Sequence, residues 1–116
     1  MSLPHLAAIA GRALLALLFI LAGIAKIAGP KPFLAHMAEF RVPGVLLIGV
    51  IGLEIVAGLA LLAGWALPYS AGLLALFCLA TAVVFHAKLS ERTERTLFFK
   101  DLAIAGGMMA IAAASL

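Results

Sequence analysis

Charge is what this chain has least of. Asp, Glu, Lys and Arg make up 11% of its 116 residues, where a soluble domain carries about 25%. A chain this short, folded in water, exposes more surface than so few polar side chains can cover. That excludes a soluble globular protein, and a hydrophobic share of 66% excludes a disordered one. Cysteine is almost missing. Cys78 alone permits neither an intrachain disulfide nor a Cys-x-x-Cys redox pair, and inside its apolar run it reads as a small buried hydrophobe. The sequence has no P-loop, no dinucleotide Gly-x-Gly-x-x-Gly and no haem-attaching Cys-x-x-Cys-His. No His/Cys/Asp/Glu set has metal-ligand spacing, and no Ser/His/Asp set can be brought together by inspection. With no catalytic set, the chain is expected not to be an enzyme by itself.

What is present is long apolar runs separated by short basic gaps. The net charge of +3 lies in those gaps, which is the pattern of membrane anchoring and not of nucleic-acid binding. Four spans can be drawn, about 6–29, 43–64, 68–87 and 97–116, each close to the roughly 20 residues that cross a hydrocarbon core. The first exceeds a signal-peptide core of roughly 7–15 residues and reads as a retained span. Residues 55–87 hold no Asp, Glu, Lys or Arg over 33 positions, too long for one crossing, and Gly64, Trp65 and Pro68 supply the break. The first polar connection, Pro30 to Val42, contains Phe33–Phe40 with apolar residues at helical spacing. The sequence therefore predicts an all-α membrane protein in which residues 1–116 form a single domain. Its four transmembrane helices form an antiparallel bundle, with a short amphipathic helix on the membrane surface in the first loop. The run Ser90–Arg95 reads as solvated loop. Small residues four apart, as in Ala60/Gly64 and Ala103/Gly107, point to close helix packing.

Four spans put both termini on one side. The loop side carries Lys31, Arg41, Lys88, Arg92 and Arg95, with Lys26 and Lys100 at neighbouring helix ends, and the side of the termini has Arg12. This bias places the polar loops in the cytoplasm and both termini outside, across the inner membrane of a bacterium. Trp65 and Tyr69 fit interface anchors on the outer side, and Phe33, Phe40, Phe85, Phe98 and Phe99 on the inner one.

Polar residues inside the spans hold whatever functional signal exists, because a charge at the bilayer centre costs about 2.5–3.5 kcal/mol. Glu54 stands mid-span, where its side chain must be neutral, paired or beside a wet cavity. Positions 12, 16, 19, 23 and 26 share one helix face, so Arg12 and Lys26 turn inward with Ala16, Phe19 and Gly23. Lys26 can snorkel to water at its helix end. Arg12, deeper, is the expected partner of Glu54. Lys100 and Asp101 are expected to open the fourth span, with Asp101 favourable to the helix dipole. Lys26, His86 and Lys100, near the loop-side ends of three spans, line one candidate basic mouth. The candidate ligand-binding or intramembrane polar network is therefore Arg12, Lys26, Glu54, His86, Lys100 and Asp101. Each also admits a plain reading as an anchor or packing pair.

Three stretches resemble a known family. They are Gly11–Lys26 in span one, Glu54 with Gly58 and Gly64 in span two, and Leu97-Phe98-Phe99-Lys100-Asp101-Leu102-Ala103-Ile104-Ala105-Gly106-Gly107 in span four. Together, in this order, they resemble the DoxX family. The resemblance implies a small bacterial inner-membrane four-helix bundle, tied to redox or detoxification complexes. The usual span-four motif has Asn where this chain has Asp101, which adds a negative charge beside Lys100. On this basis the chain is expected to be a non-catalytic subunit or accessory protein of a redox system. It would contact quinone as a possible cofactor, with the lipid bilayer, an oxidoreductase protein and further copies of itself as partners. Side chains do not carry the electrons, so a partner or bound cofactor must. The alternatives are a lipophile-binding scaffold without turnover, and a small proton, anion or solute transporter acting as an oligomer.

The basic bias makes the first testable prediction. Alkaline phosphatase fused to the C-terminus should be active. An inactive phosphatase together with a glowing fluorescent-protein fusion at the same place would reverse the orientation.

Overall fold

The computed structural model describes residues 2–116. Among them are five helices and no strand: α1 (Leu3–Ala28), α2 (Lys31–Glu39), α3 (Leu46–Ala63), α4 (Leu67–Phe85) and α5 (Arg92–Ala114). All but α2 are long and apolar enough to cross a membrane, so the protein is all-α and of membrane type. The chain divides into two compact units, one ending at Ala66 and the other starting at Leu67.

In the N-terminal unit, α1 begins at a Ser2 cap whose hydroxyl accepts from the His5 N–H at 3.3 Å, with Pro4 in the first turn. Ser at this position satisfies a backbone N–H that the helix leaves unpaired, and Pro there forfeits no bond. The helix ends at Gly29-Pro30, and α2 starts at once with Pro32 in its own first turn. The expected short helix of the first loop is therefore present. It closes with a 3.0 Å bond from the Val42 N–H to the Met37 carbonyl and Arg41 at φ 56°. That is a Schellman end with Arg at the left-handed position usually held by Gly. The same ending recurs on α3. The Trp65 N–H donates to the Ala60 carbonyl at 2.8 Å, with Gly64 at φ 76°. Here the sequence supplies the residue that adopts such a φ without strain.

The α1 face predicted from helical spacing is the one that packs, since Ala16, Phe19 and Gly23 are its buried residues. They lie antiparallel against α3. A Cβ built on Gly23 would stand 2.6 Å from Ile55 Cγ1, and one on Gly58 would stand 2.9 Å from Ile20 Cγ1. Small residues let the two backbones approach, and these two glycines set the sliding register between the helices.

In the C-terminal unit α4 packs antiparallel on α5. Ala71, Leu74, Ala75, Cys78 and Ala82 of α4 and Ala105 and Met108 of α5 are buried. Leu74 and Met108 have no exposed surface. Of the small pair expected to mark close packing on α5, Ala103 is exposed. The helix also begins at Arg92, five residues before the span start drawn at 97. Most of the run expected to be solvated loop is thus its first turn, because Glu and Arg are good helix formers.

The Gly23 contact gives a second prediction. Gly23→Ala should lower stability by about 1–3 kcal/mol, the usual cost of overpacking. Ile55→Ala removes the atom that the new methyl strikes. The double variant should therefore melt higher in detergent than additive losses allow.

Candidate functional site

Glu54 is the ninth residue of the 18 in α3 and its side chain is 4% exposed. Its partner is Lys26, whose Nζ lies 2.7 Å from Glu54 Oε1. Arg12, the expected partner, is elsewhere. Register is the physical reason. With Gly23 and Ile55 in contact, Lys26 in the last turn of α1 falls level with Glu54. Arg12, fourteen residues earlier, is then roughly 21 Å away along the helix. The first half of α3 runs on past the end of α1, and Leu47 is its one buried residue before Glu54. A Cβ on Gly44 would meet Leu34 Cδ2 at 3.1 Å, and Met37 of α2 and Leu47 of α3 are both buried.

Arg12 reaches the other end of the same helix. Its guanidinium lies beside Gly64, where a built Cβ would be 2.9 Å from Nη2. A cation at a helix C-terminus is favoured by the helix dipole. The Nε atom is buried and makes no hydrogen bond among the described residues.

The Lys26 side chain is 15% exposed. On one side it has Glu54, and on another the ring of Phe33, whose centroid lies 5.0 Å from Nζ. An ammonium over an aromatic face is attracted by the ring quadrupole. Of its three N–H donors the carboxylate engages one side only. Donors therefore remain for a carbonyl or anionic oxygen arriving from the exposed side, next to an aromatic ring. In the sequence Phe33 reads only as an interface aromatic; its place three residues after Pro30, where α1 has ended, is the signal that could have linked it to Lys26.

In the C-terminal unit His86, one residue beyond α4, lies between two acids of α5. Its Nδ1 is 2.8 Å from Glu94 Oε2 and its Nε2 is 3.9 Å from Asp101 Oδ2. The Thr81 hydroxyl is 3.2 Å from that same Asp101 oxygen and 3.0 Å from the Cys78 carbonyl. Asp101 is the tenth residue of α5, so the expected dipole role falls to Glu94 in the first turn. Lys100 is exposed on α5. Glu94 and Thr81 were not singled out from sequence. Glu94 precedes Asp101 by seven residues, two helical turns, and shares its face, a signal visible only once α5 is started at Arg92. Among the described residues no group of three or more His, Cys, Asp or Glu is placed to hold a metal.

The third prediction follows from the ion pair. Lys26→Met leaves Glu54 buried without its cation and should cost about 3–5 kcal/mol, the range for a broken buried pair. Lys26→Met with Glu54→Leu removes both charges and should recover most of that loss. A thermal series on the singles and the double in detergent reads the difference. Strictly additive losses would show that the two side chains act independently.

Comparison with known proteins comes to the same place as the residues. The family model described as DoxX matches residues 7–87. The chain is similar to the inner membrane protein YqjF of Escherichia coli (strain K12), at 37% identity over 110 residues, covering 95% of this chain and 85% of that protein. No solved structure matches the chain.

Proposed function

The chain belongs to the DoxX family of inner-membrane proteins, and on that premise we propose that it is a non-catalytic subunit of a quinone-linked redox system. Lys26 is the group that holds a quinone carbonyl. The observation that carries this reading is the arrangement at Lys26: a half-engaged ammonium, 2.7 Å from a buried carboxylate and 5.0 Å from the Phe33 ring centre. A quinone presents a carbonyl oxygen at the edge of a flat apolar ring. The ammonium donates to the oxygen, and the aromatic face packs on the ring. Glu54 holds the ammonium in place, and its own desolvation is offset only while Lys26 stays. Electrons pass through a partner oxidoreductase that docks on the loop side. The termini lie outside.

Equilibrium binding of a short-chain quinone to the full chain in detergent tests the reading. A hydrogen bond from a charged donor is worth about 1.5–3 kcal/mol. Lys26→Met should therefore weaken binding by roughly ten- to a hundredfold, while Lys100→Met, on the exposed face of α5, leaves it unchanged. A wild-type chain that retains no quinone, or a Lys26→Met variant that retains it equally, overturns the proposal.

A second reading, a lipophile-binding scaffold without turnover, is favoured by one feature. The C-terminal unit has an apolar cleft of about 560 Å³ between α4 and α5, walled by Tyr69, Leu73, Leu76, Met109 and Leu116. Lipid retained in native mass spectrometry without quinone would select it.

A further inference from the structure

Thr81 has one hydroxyl proton and two acceptors within reach: the Cys78 carbonyl at 3.0 Å and Asp101 Oδ2 at 3.2 Å. One O–H donates in one direction at a time. If Asp101 is a carboxylate, Thr81 must choose between it and its own helix. If Asp101 carries a proton, both contacts are made at once. Asp101 then donates to Thr81 Oγ1, and Thr81 donates to the Cys78 carbonyl.

The same question arises one step further out. His86 has an acid at each ring nitrogen, Glu94 at 2.8 Å from Nδ1 and Asp101 at 3.9 Å from Nε2. A neutral imidazole has one N–H and one lone pair. With the N–H directed at Glu94, the lone pair at Nε2 faces Asp101, an arrangement that repels a carboxylate and attracts a carboxylic acid. Either the ring is an imidazolium between two carboxylates, or the proton has moved to Asp101 and points back at the ring or at Thr81. Both arrangements use the same heavy-atom positions.

We propose that Glu94, His86, Asp101 and Thr81 form a proton-uptake site that carries one proton from water at the α4–α5 turn to Asp101 inside α5. This stands on the C-terminal unit alone and does not rest on the quinone reading. The step balances as follows. With His86 an imidazolium, two carboxylates and one cation leave one net negative charge. His86 Nε2 gives its proton to Asp101 Oδ2, which leaves a neutral ring whose remaining N–H stays at Nδ1 facing Glu94, and Glu94 takes one proton from water. The group then holds one proton more and is neutral. The Thr81 hydroxyl turns from Asp101 to the Cys78 carbonyl as Asp101 becomes a donor. Glu94 and His86 are 23% and 18% exposed in their side chains, which gives the path an aqueous end. The groups facing His86 are Glu94 and Asp101 from α5, with Thr81 on α4 at the inner end. The remaining charged side chains at this end, Lys88, Glu91, Arg92, Arg95 and Lys100, are exposed.

Infrared difference spectra of the full chain in lipid nanodiscs, recorded across about pH 5–8, test the site. A carboxylic-acid C=O band should grow as pH falls and vanish in Asp101→Asn. Its midpoint should move by about one pH unit in His86→Gln, the displacement that marks interacting titrations. In Thr81→Ala the band should remain but change frequency, because its donor has lost an acceptor. A band unaffected by Asp101→Asn, or a midpoint unmoved by His86→Gln, overturns the proposal. Should a variant not fold, carboxyl-carbon and imidazole-nitrogen NMR titrations of the wild-type chain read the same coupling. Shared midpoints support it, and an imidazole that titrates while the Asp101 carboxyl stays flat sinks it.

Discussion

A carboxylate in the middle of an apolar helix must be met by a cation, and the N-terminal unit is arranged around that need. Glu54 occupies the centre of α3, and its ion-pair partner is the lysine in the last turn of α1. This pairing and the glycine contacts at 23 and 58 require the same relative sliding of the two helices. Packing and electrostatics therefore specify one register, and agreement between levels of this kind makes a sequence choose a single structure. The rest of the unit follows. Because α1 ends level with the middle of α3, the first half of α3 has no α1 neighbour, and Leu46 and Ile48 there are exposed. Because the register is offset, Arg12 falls at the C-terminus of α3.

The C-terminal unit meets its half-buried acid differently. It has no lysine on the facing helix, and Asp101 is met by an imidazole and a hydroxyl. The two halves of the chain thus meet an acid in different ways, one with a lysine and the other with an imidazole and a hydroxyl.

Helix number, helix type and the inward face of α1 were legible in the sequence because they depend on composition and periodicity. The short α2 and the breaks at Gly29-Pro30 and Gly64 were legible for the same reason. Legibility ended at register. Counting residues from span ends placed Glu54 at a depth where Arg12 looked nearest. It could not show that α1 stops at mid-height of α3, because that offset comes from Gly23 meeting Ile55. The start of α5 was missed because a charged run reads as loop by polarity, although its residues favour helix. That one boundary hid Glu94, and with it the cluster around His86. Lys26 was identified as inward-facing, yet its partner required the three-dimensional contact.

The order in which the chain is made gives the Lys26–Glu54 pair a further meaning. Synthesis proceeds from the N-terminus, so α1 is already available when α3, 28 residues later at the pairing position, leaves the ribosome. An acid at the centre of an emerging helix opposes partition into lipid by about 2.5–3.5 kcal/mol. The eleven Leu, Ile and Val residues of α3 favour it by roughly 3–7 kcal/mol on the insertion scale. The margin is narrow when α3 enters alone. A lysine at the right height on the preceding helix widens it, because α3 then finds its counter-charge on a helix made before it.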